Sequence, residues 1–420
     1  MKTTYDESRG YRIHLYKTDK FKQTTIKISL REPILKENIT RRALLYNVLF
    51  SSSRKYNSER KINIRKEELY SMNFQFVNNR IGNYLNTSLS IKVLDEKYTE
   101  KGILEQSISL LSDLLLDPLI EDNHFRKDKV DLYKEKTKAR LSTIKEDAPL
   151  YASVRAKEVY DDSILSYRII GYIEDVDEIN EYNLYEYYKE MIKTNIIDFY
   201  VVGNIELDEI ENYIDKYFKK LINNNKNPES YELNTKLLKE NKYIETINNE
   251  QSILVILSKL DKTTNYERYY VSSFLSYILG GGTSSKLFNT VREKESLCYY
   301  IYSNYRMFDN VLTINAGIDN TNYKKTVKLI KKIIKDIQKG NISEEEINNF
   351  KTLINNDFDA IDENARSIIN YMIDVDTLKL DELDKRRELI NKVTKKDIVN
   401  LSKKIKIQNI YLLEGVKNEK

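Results

Sequence analysis

The sequence predicts an α+β protein built from two duplicated domains, each a mainly antiparallel β-sheet packed with helices. Three observations lead there. At 420 residues the chain exceeds what one ordinary core organises. The layout of residues 176–205, VDEINEYNLYEYYKEMIKTNIIDFYVVGNI, returns at 387–416 as RELINKVTKKDIVNLSKKIKIQNIYLLEGV: a helix running from acidic to basic, a short polar turn, an apolar strand, then Gly. Each half also begins with a strand that feeds a helix.

In chain order, YRIHLY and TTIKISL alternate as half-buried antiparallel strands do, and a helix follows over Ile39 to Ser52. NFQFVNNRIGNYLNTSLSIKVL reads as two strands around NNRIGN, because Asn and Gly accept the positive backbone angles of a hairpin turn. GILEQSISLLSDLLL is an amphipathic helix stopped by Asp117-Pro118. A second helix runs from Asn123 to Glu146, and Pro149 opens the next. The polar stretch Leu221 to Tyr243, with three consecutive Asn and a Pro, reads as a linker, and Asn223 to Ser230 as a hinge within it. The expected domains are therefore 1–220 and 244–420, joined by 221–243. In the second, QSILVILSK is a strand, NYERYYVSSFLSYILG a helix and TINAGID a strand, before long helices from Tyr323 to Val375.

Composition removes several classes of function. Net charge is only +4, with 69 basic and 65 acidic side chains interleaved as on solvated helix faces, so nothing calls for nucleic acid. No apolar run approaches the roughly 18 residues of a membrane span. The lone Cys298 excludes a disulfide framework and MKTTYDESRGYRIHLYKTDK lacks a signal-peptide core, so a cytoplasmic location is expected.

The stretch LGGGTSSKLFNTVREKESLCYYIYS, Leu279 to Ser303, has the look of catalytic hardware. Its glycines match neither the P-loop spacing nor GxGxxG. Ser284 or Ser285 as a nucleophile would need a base, and the chain's two histidines are His14, in a strand, and His124, in a charged helix. Both read as surface or structural residues. Cys298, with no His near it in sequence, reads as a small buried apolar residue. Gly280, Gly281 and Gly282 also suit a helix end and turn.

The same stretch resembles the C-terminal-domain motif of the M16, or insulinase-like, zinc metallopeptidases, the family of pitrilysin and the mitochondrial processing peptidase. There, Gly and small residues precede an Arg and, seven positions later, a Tyr. Arg292 and Tyr299 match that pair. The duplicated halves and the linker fit the family's clamshell half, and LLSDLLLDPLIEDNHFRKDKVDLYKEK is similar to the segment leading to its third metal ligand. Asn79 stands near the place of an Asn on the substrate-pairing edge strand. Taken alone, Arg292 and Tyr299 would read as an ion-paired helix residue and a packed strand aromatic.

The resemblance also shows what is missing. The family's HxxEH motif puts two histidines at i and i+4 on one helix face, with a Glu between them to activate the zinc-bound water. In ALLYNVLF those positions are Ala43, Tyr46 and Asn47. No His lies between residues 15 and 123, and a third ligand near Tyr133 to Glu135, even Glu135 itself, cannot hold zinc alone.

The resemblance therefore implies a chain with no metal or cofactor of its own. It would be the noncatalytic subunit of a bacterial heterodimeric peptidase, paired with an HxxEH-bearing M16 paralogue that carries the zinc. Arg292 would hold peptide carbonyls and Tyr299 would donate to the oxyanion. Gly280, Gly281, Gly282, Ser284 and Asn79 would contact a peptide substrate added as a strand at a sheet edge. The alternative is an M16-shaped scaffold or peptide-binding protein without hydrolysis. An autonomous metallopeptidase would need a metal site that the sequence does not display.

Overall fold

The computed structural model describes residues 2–6, 10–160, 163–221, 227–233 and 236–416. In chain order the first stretch holds β1 (Lys2–Asp6), β2 (Tyr11–Lys17), β3 (Gln23–Pro33), α1 (Lys36–Leu49), α2 (Glu59–Glu68), β4 (Asn73–Ile81), β5 (Tyr84–Leu94) and α3 (Ile103–Leu116). Then come β6 (Ile120–Glu121), β7 (His124–Phe125), α4 (Lys127–Ser142), α5 (Ala148–Glu158), α6 (Ile173–Val176), α7 (Glu181–Thr194), β8 (Ile196–Gly203) and α8 (Leu207–Phe218). The remainder is β9 (Asn241–Ile247), β10 (Ser252–Leu260), α9 (Ser272–Gly280), β11 (Cys298–Arg306), β12 (Val311–Ile318), α10 (Tyr323–Gln338), α11 (Glu344–Asp359), α12 (Ala365–Met372), α13 (Leu383–Lys392), α14 (Lys395–Lys403) and β13 (Ile405–Gly415).

These elements form two compact units. One comprises Met1–Ser142, Arg168–Tyr231 and Ala360–Leu380, the other Thr143–Tyr167, Glu232–Asp359 and Asp381–Lys420. The first sheet runs β1-β2-β8-β3-β5-β4 and the second β11-β12-β10-β13-β9. Read from its opposite end, the first is β4-β5-β3-β8-β2. Every neighbouring pair then matches its counterpart in direction: three antiparallel pairs in succession, and a last pair, β8 with β2 or β13 with β9, that is parallel. The duplication read from two helix–strand segments is thus a duplication of whole-sheet topology.

Each sheet buries two faces, and the second cover comes from the distant part of the chain. On one face of the first sheet, Ile13, Ile26, Ile28, Phe199 and Val201 pack under α1, α3, α7 and α8. On the other, Tyr200 and Val202 meet Ile368, Ile369 and Met372 of α12. In the second unit Leu254, Ile256, Ile410 and Leu412 face α9, α10 and α14. Val255, Leu257, Tyr411 and Leu413 lie under Ala148, Ala152 and Ala156 of α5. Residues 143–167, expected in the first domain, therefore fold with the second unit, and 360–380 with the first. A sheet of near-continuous apolar strands needs covering on both sides.

That two-sided burial also corrects the reading of YRIHLY and TTIKISL as half-buried, whereas the antiparallel expectation holds for β3 on both sides and for β2 against β1. β2 and β3 are buried along almost their whole length, and β2 pairs with β8 in parallel. The hairpin forms as expected, with Ile81 opposite Tyr84 and Gly82 at φ +52°. The helix expected from Asn123 begins only at Lys127. Asp122 and Asn123 take positive φ in a small turn, and His124 lies in the two-residue strand β7. The expected linker contains the start of β9. Part of the hinge expected over Asn223 to Ser230, residues 222–226, lies outside the described residues.

Candidate functional site

Local packing in the second unit explains the glycine stretch. α9 ends against β11 so closely that a Cβ on Gly280 would lie 2.5 Å from the Ser303 backbone nitrogen, and one on Gly281 would lie 2.6 Å from the Tyr277 Cα. A Cβ on Gly282 would meet nothing within 4 Å. The segment then turns. The Ser285 hydroxyl donates to the Gly282 carbonyl at 2.6 Å, and its oxygen accepts from the Phe288 N–H at 3.4 Å. Ser285 is buried in this cap, which suits structure and not nucleophilic attack. Ser284 is exposed beside it, its carbonyl accepting from the Asn289 side chain.

Phe288 to Lys294 form a π-helical turn, closed by Glu295 N–H donating to Thr290 O at 3.1 Å and held down by buried Leu287, Val291 and Leu297. Arg292 projects from it, its guanidinium 4.7 Å from the Phe288 ring centroid and 3.8 Å from the Glu293 carboxylate. The flanking chain then enters β11 through Ser296, at φ +51°.

Tyr299 owes its exposure to a register shift. Cys298 pairs with Ile318 and Tyr300 with Gly317, so Tyr299 is the extra residue of a β-bulge on an edge strand. Such bulges re-aim one side chain while leaving the ladder intact on either side. Tyr299 is 61% exposed, and its hydroxyl donates to Asp319 at 3.1 Å, which pushes the phenol pKa up. Cys298 is half-buried, not fully buried, and burial pushes its thiol up to about 11, so it carries no thiolate at neutral pH.

In the first unit, α1 carries the three positions that resemble the zinc motif. On α1, Ala43 and Tyr46 are buried, and the Asn47 amide donates back to the Ala43 carbonyl at 2.8 Å. The Tyr46 hydroxyl donates to the Met191 sulfur at 3.3 Å, and burial raises its pKa, the wrong direction for a base. One residue earlier, Arg42 is fully buried. It reaches Thr87 at 2.9 Å, Asn195 at 3.0 Å, the Leu30 carbonyl at 2.6 Å and the Glu32 carboxylate at 3.0 Å, with its guanidinium 5.7 Å from the Tyr46 ring centroid.

Tyr133 donates to Glu59 at 2.7 Å, and Glu135 is exposed beside Lys138. Among the described residues no group of three or more His, Cys, Asp or Glu could hold a metal ion. The residues present do not fit zinc: a permanent cation already sits beside the motif position, and no ligand set converges there.

Asn79 is exposed on β4, the end strand of its sheet, and its side chain accepts from Asn86 at 2.8 Å. The His124 ring lies tilted against Tyr182, centroids 4.5 Å apart, with Nδ1 2.7 Å from the Phe125 carbonyl.

Sequence reasoning missed a buried cluster of charges on β2, β3 and β8. His14 is 1% exposed, with Nε2 2.8 Å from Asp198 and Nδ1 2.9 Å from Asp376. Asp198 also receives Arg12 at 2.6 and 2.7 Å, and Arg31. Alternation in YRIHLY already puts Arg12 and His14 on one face. Their partners lie too far along the chain for local pattern to reveal.

The chain thus has two helix-covered sheets, an exposed Arg292 and Tyr299, and, among the described residues, no ligand cluster around Ala43, Tyr46 and Asn47. Residues 178–354 match the family model described as "Peptidase M16 inactive domain". The chain is 27% identical over 416 residues to the "Probable inactive metalloprotease YmfF" of Bacillus subtilis, covering 97% of this chain and 96% of that one. A conserved protein of Enterococcus faecalis superposes with a TM-score of 0.89 at 26% identity, covering 100% and 99% of the two chains. The periplasmic protease PqqL of Escherichia coli shares the fold, with a TM-score of 0.72 at 13% identity. The match takes in 97% of this chain and 45% of PqqL. The chain is thus similar to inactive-type M16 proteins over nearly its whole length, and no helix among its described residues is long and apolar enough to cross a membrane.

Proposed function

We propose that the chain is the noncatalytic subunit of a cytoplasmic heterodimeric M16 peptidase, lending Arg292 and Tyr299 to a zinc-bearing HxxEH paralogue. The observation that carries this reading is the contrast between two places in one chain. On α1, at and beside the positions that resemble the zinc motif, Tyr46 and Arg42 are buried, whereas Arg292 is exposed and Tyr299 is turned outward by a bulge. Packing alone gives no reason to keep a large aromatic residue 61% exposed on an edge strand.

The chemistry follows from the groups. A guanidinium and a phenol aimed at a scissile carbonyl stabilise the charge that develops on its oxygen. Open space at Gly282 and the exposed Ser284 leave room for an extended peptide to approach, and Asn79 marks the free edge of β4, where a strand can add.

A second reading, a peptide-binding scaffold without hydrolysis, is favoured by one detail. Tyr299 has a single O–H, and it is directed at Asp319. An exposed hydrogen bond of this kind is weak, so a bound oxyanion would compete for it.

The deciding experiment measures hydrolysis of a quenched fluorescent peptide library by the zinc-bearing paralogue with and without this chain. Activity that requires the intact chain and falls at least about 100-fold with Arg292→Ala or Tyr299→Phe supports the shared site. Saturable peptide binding with no stimulation of the paralogue, unchanged in both variants, leaves the scaffold.

A further inference from the structure

The duplication exposes an unfilled place in the second unit. In the first, α8 packs beside α3, with Lys216 donating to Glu105, and lies over β2 and β8. Phe218 meets Phe199 at 4.9 Å, and the Tyr11 hydroxyl donates to Asp215 at 2.6 Å. Tyr11, Ile13 and Leu15 of β2 are accordingly 3%, 1% and 2% exposed.

By strand correspondence β9 is the counterpart of β2, β13 of β8, and α10 of α3, since each of these helices follows the second strand of its hairpin. Lys242 and Ile244 of β9 pair with Ile410 and Leu412, which face the helical side of the sheet. Yet Ile244 is 58% exposed. Between β9 and α10, where α8 stands in the first unit, lies a groove of about 750 Å³ lined by Lys242, Tyr323 and the outer face of α10.

That face is basic. α10 carries Lys324, Lys325, Lys328, Lys331, Lys332 and Lys335. Glu295 pairs with Lys325 and Glu240 with Lys331, and among the described residues no carboxylate lies within ion-pair distance of Lys324, Lys328, Lys332 or Lys335. Three of these four are spaced i, i+4, i+8 and form one stripe along the helix.

We propose that this groove receives an acidic amphipathic helix of a partner protein, completing the helical layer over β9 as α8 completes it over β2. The chain itself shows the required chemistry. α8 buries Ile210, Ile214 and Phe218 along one stripe and carries Asp208, Glu209, Glu211 and Asp215 on the rest of its surface. A helix of this kind covers Ile244 with its apolar stripe and sets its carboxylates against the lysines. The surface is distinct from the Arg292–Tyr299 site, so its failure would leave the peptidase reading untouched.

The test is fluorescence anisotropy of a labelled, helix-stapled peptide of sequence ELDEIENYIDKYF added to the full chain. Saturable binding is expected, weakened at least about tenfold by Lys328→Glu with Lys332→Glu, and about tenfold by Ile244→Asp. All three positions are exposed, so unfolding midpoints should stay unchanged. No saturable binding would overturn the proposal. So would equal binding of a poly-glutamate peptide with no effect of Ile244→Asp, which would reduce the groove to charge alone. Binding of polyuridylate RNA or phosphatidylglycerol vesicles through the same lysines, without competition by the peptide, would also overturn it.

Discussion

His14 and Asp376 are 362 positions apart in sequence, and the imidazole Nδ1 lies 2.9 Å from the Asp376 carboxylate. The other ring nitrogen faces Asp198, so both nitrogens meet carboxylates and the imidazolium is the form that satisfies the site. Through this one ring the segment around α12 is fastened to β2 and β8 within the first unit. Tyr200 stacks on it at 4.6 Å, and Arg12 and Arg31 share Asp198.

The pH dependence follows in sign. Burial alone would lower the His14 pKa, but the hydrogen bonds to Asp198 and Asp376 outweigh it and the net shift is upward. The stability His14 contributes is therefore complete below about pH 6.5 and is lost as pH rises through the folded value. Asp198 behaves oppositely. Burial alone would raise it, yet Arg31, His14 and Arg12 hold it far below the usual carboxylate range. Its contribution is present above about pH 4 and is lost as pH falls further. The wild-type unfolding midpoint should decline on the alkaline side, and His14→Gln should flatten that decline. An unchanged slope would remove His14 from the account.

On α1, Arg42→Ala should destabilise the chain by about 3 kcal/mol or more, because it leaves the Glu32 carboxylate buried beside Tyr187 and Asn195 without its cation. Tyr46→Phe removes only a weak bond to sulfur and should cost less than about 1 kcal/mol. Chemical denaturation measures both. Equal costs would mean that Arg42 is not what holds this region together.

Chelation provides a separate check. With no converging ligand set among the described residues, exhaustive treatment with a chelator should leave the unfolding midpoint where it was, and elemental analysis should find no stoichiometric zinc. One zinc per chain, or a midpoint that falls by several degrees on its removal, would refute the reading of a chain with no metal of its own.

In the glycine loop, Gly280→Ala and Gly282→Ala should separate cleanly. The first forces a methyl group into the Ser303 backbone and should cost about 1–3 kcal/mol, with displacement of α9 from β11. The second enters open space and should be close to neutral in stability. Comparable losses in both would mean that the loop is constrained by something other than this close approach.

Some of this was written locally in the chain. The stop at Asp117-Pro118, the two-residue turn at Gly82 and Asn83, the helix start at Pro149 and the strands ending in Gly203 and Gly415 follow from turn chemistry and apolar periodicity. These act over a few residues, so one sequence displays them. The absence of ligands at Ala43, Tyr46 and Asn47, and the spacing of Arg292 to Tyr299, were equally plain. Tertiary structure decided what depends on residues brought together from afar. It set the parallel pairing of β2 with β8, and the covering of each sheet by a helix from the other part of the chain. It also gave Asp198 and Asp376 to His14, turned Tyr299 outward through a one-residue register shift, and left the place beside α10 open. Contacts of that range are chosen by burial and charge compensation over the whole fold, and no local pattern in the chain encodes them.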